Sequence, residues 1–153
     1  MPEIIEAPFR LTSDDPVLTR ADGVTSTWSD LWKYQVPIGT SLILKPEHTF
    51  AANLEWDTTT AGDATCQVRI EKRDASGSDV VKVFFDMYYA VKEWQNQTKM
   101  AHLQVPPECI IINEREFLVI LGWESAGALQ AGAVNDVSYF ELRIARVRKA
   151  LGA

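Results

Sequence analysis

From Trp28 onward, apolar and polar positions alternate over short runs, and no stretch repeats with a helical period. Thr65–Arg73 is the clearest case. Cys66, Val68 and Ile70 fall on one side, Gln67, Arg69 and Glu71 on the other, the two-residue period of a half-buried strand. Phe50, Ala52, Leu54 and Trp56 alternate in the same way with Ala51, Asn53 and Glu55. Further strands are expected over Thr27–Val36, Ser41–Lys45, Met100–Val105, Cys109–Ile112, Glu116–Glu124 and Val137–Arg148. Val80–Trp94, rich in β-branched and aromatic residues, predicts one or two more. Between these runs lie a Pro37-Ile38-Gly39 step, a corner at Lys45-Pro46-Glu47-His48, a turn at Asp74–Asp79 and small-residue loops at Asp57–Ala64 and Ser125–Asp136.

About eight short strands with turns between them predict an all-β chain, a single-domain antiparallel β-sandwich of the jelly-roll kind. An immunoglobulin-type sandwich would want a tryptophan soon after its first cysteine. Here Trp94 comes late after Cys66. Residues 1–27 break the pattern. Pro2, Pro8 and Pro16 interrupt them, and no period survives more than a few residues. They are expected to form an extended N-terminal arm, ahead of a β domain at 28–150 and a short tail at 151–153. Ile4, Ile5, Phe9, Leu11, Val17 and Leu18 sit along the arm like pegs, more apolar than a disordered tail would be.

The chain has 153 residues, enough for one self-sufficient core. A net charge of −6 argues against nucleic acid as a partner. The N-terminus lacks the basic start and apolar run of a signal peptide. The longest apolar run, Phe117–Trp123, is too short for a membrane helix. The expected setting is therefore a cytoplasm, with no membrane partner. Cys66 and Cys109 lie in apolar segments and are expected as core thiols rather than a disulfide.

The candidate chemistry is thin. His48 and His102 stand alone, and no Cys or His pair has zinc spacing. There is no nucleophile elbow and no phosphate loop with its lysine. No catalytic residue, metal ligand or cofactor site is expected. Glu55, Asp57 and Glu124 are the carboxylates that a glycosidase reading would use, though exposed strand ends explain them more simply. The five tryptophans offer a carbohydrate-binding platform as the main alternative, with core packing as its competitor. Charge points elsewhere. The arm holds five acids against Arg10 and Arg20, while residues 143–153 hold Arg143, Arg146, Arg148 and Lys149 and no acid. An acidic arm with apolar pegs and a basic tail suit a contact with a neighbouring subunit. The candidate interface residues are Ile4, Ile5, Phe9, Leu11, Trp28, Trp32, Arg146 and Arg148. Trp28 and Trp32, four apart on one expected strand, should share a face.

With its peg-bearing arm and the element VPIGTSLILKPEHTF, the layout resembles the head-decoration, or cement, proteins of tailed viruses. The resemblance covers about Lys33–Arg148, with residues 1–27 as the arm. It implies a non-enzymatic virion protein on the capsid exterior, assembled in the host cytoplasm. It also implies the major capsid protein as partner and a homo-oligomer, most commonly a trimer.

Overall fold

The computed structural model describes residues 3–55, 65–90, 99–125, 127–133 and 138–149, with the backbone alone at 87–90 and 99. Among them there are strands and turns and no helix. In chain order the strands are β1 (Glu3–Thr12), β2 (Thr19–Arg20), β3 (Ser29–Gln35), β4 (Thr40–Leu44), β5 (Thr49–Asn53), β6 (Thr65–Arg73), β7 (Val80–Ala90), β8 (Lys99–His102), β9 (Ile110–Ile112), β10 (Phe117–Glu124) and β11 (Tyr139–Lys149).

The pairings are nested. β6 pairs with β7 around the Asp74–Asp79 turn. Outside that hairpin β5 pairs with β8 and β4 with β9. Then come β3 with β10, and outermost β1 with β11. β4 and β5 both lie antiparallel along β11, with Ile43 opposite Ala145 and Thr49 opposite Arg143. They are two halves of one strand, interrupted where the Lys45–His48 corner leaves the ladder. β8 and β9 are likewise the two halves of its partner. A long antiparallel ribbon nested in this way and rolled over itself is a jelly roll. One sheet runs β1, β11, β4 with β5, β9 with β8; the other runs β3, β10, β6, β7, extended by β2 beyond β3.

The core between the sheets follows the expected alternation. Cys66, Val68 and Ile70 point inward from β6, and Phe50, Ala52, Leu54, Phe140, Leu142 and Ile144 from the facing sheet. Trp32 packs on Phe140 at 4.9 Å and Phe50 on Phe85 at 5.3 Å between ring centroids. Burial lifts the Cys66 thiol far above its ordinary range, and the nearby Glu124 charge adds to this. The Pro-x-Gly step forms a turn closed by the Thr40 amide donating to the Pro37 carbonyl. Gly39 takes the left-handed φ of 81° that this turn requires of its third residue.

Two findings change the picture of the N-terminal segment. Residues 3–12 are extended, but they form an edge strand of the roll, in register with β11. Leu11 is fully buried, and Leu18 also lies in the core. The loop after β1 is tied down by Arg20, whose guanidinium donates to the carbonyls of Ser13, Asp15 and Leu18.

Gly122 of β10 faces inward, opposite Val68 of β6. A Cβ there would come within 2.6 Å of Leu129 and 2.8 Å of Leu31. Both leucines are fully buried and have little room to move. Gly122→Ala is therefore expected to lower stability by about 1–3 kcal/mol, the usual cost of overpacking a core. A urea titration with an unchanged midpoint would contradict it.

Candidate interface

The expected interface residues fall into three groups. The first is no longer available to a partner: Leu11 is part of the core, and so is Trp32, only 2% exposed. Trp32 and Trp28 do not share a face, because β3 carries a bulge between them. Ile120 of β10 lies opposite Trp32, whereas Leu121 lies opposite Asp30, leaving Leu31 as the extra residue. One inserted residue reverses the facing of everything beyond it. Leu31 and Trp32 both turn inward, and Trp28 lands outside. There the Arg69 guanidinium lies 4.1 Å from its ring centre.

The second group closes on itself. Glu6 of β1 sits opposite Arg146 of β11. Arg146 donates to Glu6 at 2.5 Å, and Arg148 approaches the other carboxylate oxygen at 3.0 Å. Phe9 stacks against the Arg146 guanidinium at 4.1 Å, and Tyr34 of the facing sheet lies near it. The arginines expected to reach a neighbour are thus held by the arm of their own chain. The Arg146 hydrogen bond holds the Glu6 carboxyl below its usual value, and the charges of Arg146 and Arg148 act in the same direction. At Arg146 burial works against the charge, but Glu6 outweighs it and the guanidinium is held above its ordinary value. Glu141 is held low by Arg10 and then by Arg143, its two neighbours on the outer face.

The sign of the pH effect follows. A carboxylate whose pKa falls on folding contributes stability above its unfolded value, about 4.3, and loses it as pH drops through the lower folded value. The Glu6 contacts should therefore hold Glu3–Glu6 on β11 at neutral pH and release them in acid. In an NMR titration the Ile4 and Ile5 amide shifts should move with a midpoint below that of an ordinary glutamate. Glu6→Gln should abolish that step; an identical titration in the variant would rule the latch out.

The third group is exposed. Ile4 is partly open, and Ile5, on the outer face opposite Val147, is 69% exposed. Sequence reasoning missed two residues on the same outer face as Ile5, Ile43 of β4 and Ile111 of β9. Their alternation placed Leu42, Leu44, Ile110 and Ile112 inside and so left them outside. That both strands meet in one sheet is not visible locally.

The other candidate chemistry does not assemble among the described residues. Glu124 is buried beneath Gly23, with Oε1 accepting from the Leu129 amide. Glu55 meets Gln130 through its backbone, its carbonyl accepting from the Gln130 amide. Asp57, Trp56 and Trp94 lie outside the described residues. His48 closes its own corner, its Nδ1 accepting from the Lys45 amide at 3.0 Å; burial lowers its pKa. No group of three or more His, Cys, Asp or Glu among the described residues could hold a metal ion. The described residues contain no helix long and apolar enough to cross a membrane.

The fold defines a class: an all-β jelly roll of two antiparallel sheets. No protein-family model matches the chain, and no curated protein matches it by sequence. Solved structures do match. VP17, a capsid protein of bacteriophage P23-77, aligns over 99% of this chain and 99% of its own, with a TM-score of 0.61 at 6% identity. A structure of Desmodium yellow mottle tymovirus aligns over 99% of this chain and 90% of its own at 11% identity. Its TM-score of 0.39 is too low to carry an argument. The VP17 likeness shows a shared fold, the jelly roll that the strand pattern predicts.

Proposed function

We propose that this chain is a non-enzymatic structural protein of a virion, a decoration (cement) protein bound to the outside of the capsid by the major capsid protein. The observation that carries the reading is the alignment with a phage capsid protein over nearly the whole of both chains. The surface supports it. Apolar side chains on an outer sheet face and anchored loops suit a building block better than a catalyst. The arm enters in a changed form. β1 belongs to the roll, and its first residues, with Ile4 and Ile5 exposed, are what it offers a neighbour.

The test is to purify particles from cells carrying the genome and to titrate them with mild denaturant. A decoration protein is present in stoichiometric amounts and leaves while the shell remains closed. Absence from the particles would overturn the virion reading. Release only when the shell collapses would make the chain a shell-forming coat protein. The mass of the released species separates the trimer implied by the resemblance from a dimer.

A further inference from the structure

The edges of the two sheets are not alike. β1 is bulged between Glu6 and Phe9, and the far edge of its sheet is broken into β8 and β9. β7 carries exposed valines at Val80, Val81 and Val83, but it is bulged twice. Bulges and breaks discourage the addition of a further strand. β3 differs. β2 covers it only at Trp32 and Lys33, and no bulge interrupts β3 from Trp32 to Gln35. Past β2 this edge is open. The Val36 amide donates to the Glu116 carbonyl, and the Val36 carbonyl accepts from the Arg115 amide, so both backbone groups of Val36 face the β10 side. Successive residues of a strand turn these groups to opposite sides. The N–H and C=O of Gln35 therefore point the other way, where β2 has ended. Among the described residues neither has a partner.

A groove of about 540 Å³ lies at this edge and includes Gln35 in its lining. Val17 and Ile38, 65% and 69% exposed, and the half-buried Phe117 make part of it apolar. The charged residues that line it, Lys33 and Arg115, are both cations, on a chain whose net charge is −6. Lys33 lies 4.0 Å from the Asp30 carboxylate, but Arg73 donates to both oxygens of that group at 2.7 Å. Arg115 makes no ion pair among the described residues. It is also held against its backbone preference. Arg115 is the third residue of the turn Asn113–Glu116, which the Glu116 amide closes on the Asn113 carbonyl, and its φ is 70°. A turn with that geometry favours glycine or asparagine there, and a long side chain in its place is strained. An arginine kept in such a position, unpaired in the lining of an apolar groove, indicates a use outside the fold.

We propose that the Gln35 edge binds an extended acidic segment of another protein by strand addition. The segment continues the line of β2 beyond Thr19. One of its residues exchanges hydrogen bonds with the N–H and C=O of Gln35. The side chain of that residue falls on the same face as Gln35 and its register partner Phe117, and is apolar. Side chains two positions away share this face. A carboxylate there meets Arg115 or Lys33, a charge-assisted contact that neither a basic nor a wholly apolar segment makes.

The test is an NMR titration of the full, isotope-labelled chain with acetyl-Glu-Thr-Val-Thr-Glu-amide, whose pattern is the same in both strand directions. The Gln35 amide should exchange freely in the free protein and become protected by about 10-fold or more with peptide bound. The lysine counterpart, acetyl-Lys-Thr-Val-Thr-Lys-amide, should bind more weakly. Arg115→Glu should weaken the acidic peptide by about 10-fold and reverse the preference between the two. Arg115→Gly should weaken it by a similar factor without lowering the thermal midpoint, because glycine accepts the geometry of the turn. No protection of Gln35 at millimolar peptide, or equal binding of the two peptides, would overturn the proposal. So would an Arg115→Gly variant that binds undiminished, since Arg115 would then serve the turn alone. A dimer in sedimentation velocity that the peptide dissolves would make a second copy the occupant and overturn the assignment to another protein. Binding is read on the isolated chain, so failure here leaves the virion reading and its particle experiment to stand by themselves.

Discussion

Deleting residues 1–12 is expected to unfold the protein rather than release a detachable arm. β1 supplies a full partner for β11, and without it that edge loses a ladder running from Glu3 to Thr12. Leu11 is fully buried, and truncating a buried leucine alone costs about 2–5 kcal/mol. Phe9 packs partly against the same core. A domain of this size is stable by about 5–15 kcal/mol in total, so the loss of strand and side chains together consumes most of that margin. The truncated chain should be insoluble or lack a cooperative melt by circular dichroism. A truncated chain that melts like the full one would return residues 1–12 to the role of a free arm. The two outcomes differ because the expectation from sequence placed the fold entirely within 28–150, whereas the structure draws Leu11 and Leu18 into the core.

The second large effect is expected at Arg73. Its side chain is nearly buried, and it donates to Asp30, to Glu71 at 3.0 Å and to the Gly77 carbonyl. Asp30 is partly open to water and can be rehydrated. Glu71 is only 4% exposed. Arg73→Ala would leave a buried carboxylate without its partner, which costs about 3–5 kcal/mol. For a domain of this length that corresponds to a fall in melting temperature of roughly 10 °C. Replacing the whole network by uncharged residues of similar volume, with Asp30→Asn, Glu71→Leu and Arg73→Met, should recover most of the loss. Taking the charges out removes both the attraction and the desolvation cost. If Arg73→Ala left the melt unchanged, the network would be ornamental, and the outer face of this sheet would be held by the Gly77 turn alone.

Much of the fold was legible before any coordinates. The alternation of Cys66, Val68 and Ile70, and of Phe50, Ala52 and Leu54, is a local property, because successive side chains of a strand point to opposite faces. The turns at Gly39 and Asp74–Asp79 were legible for the same reason: their residues tolerate backbone angles that others resist. With β4 and β5, and β8 and β9, each read as one broken strand, the described residues hold nine strands, of which β1 and β2 lie in the segment expected to be an arm. Corrections concentrate where one residue is out of step. The extra Leu31 separates Trp32 from Trp28, a shift that no alternation rule foresees, because a bulge is decided by the strand across from it. The interface residues fared least well. Arg146 and Arg148 looked free because Glu6 is far away in sequence, and only the pairing of the first strand with the last brings them together.

The sequence by itself determined the period of each strand, the places where the chain turns, and hence an all-β sandwich with a predictable set of inward side chains. Those depend on neighbours one to four residues apart, where geometry follows from the covalent chain. The tertiary structure alone decided which strands lie side by side. It therefore decided that the N-terminal segment is a strand rather than an arm, that its charges at Glu6 are satisfied at home, and that Ile5 and Ile111 come to the same outer face. Such contacts join residues up to nearly the full chain length apart. They are selected by the closing of the whole ribbon around its core, and no local pattern encodes them.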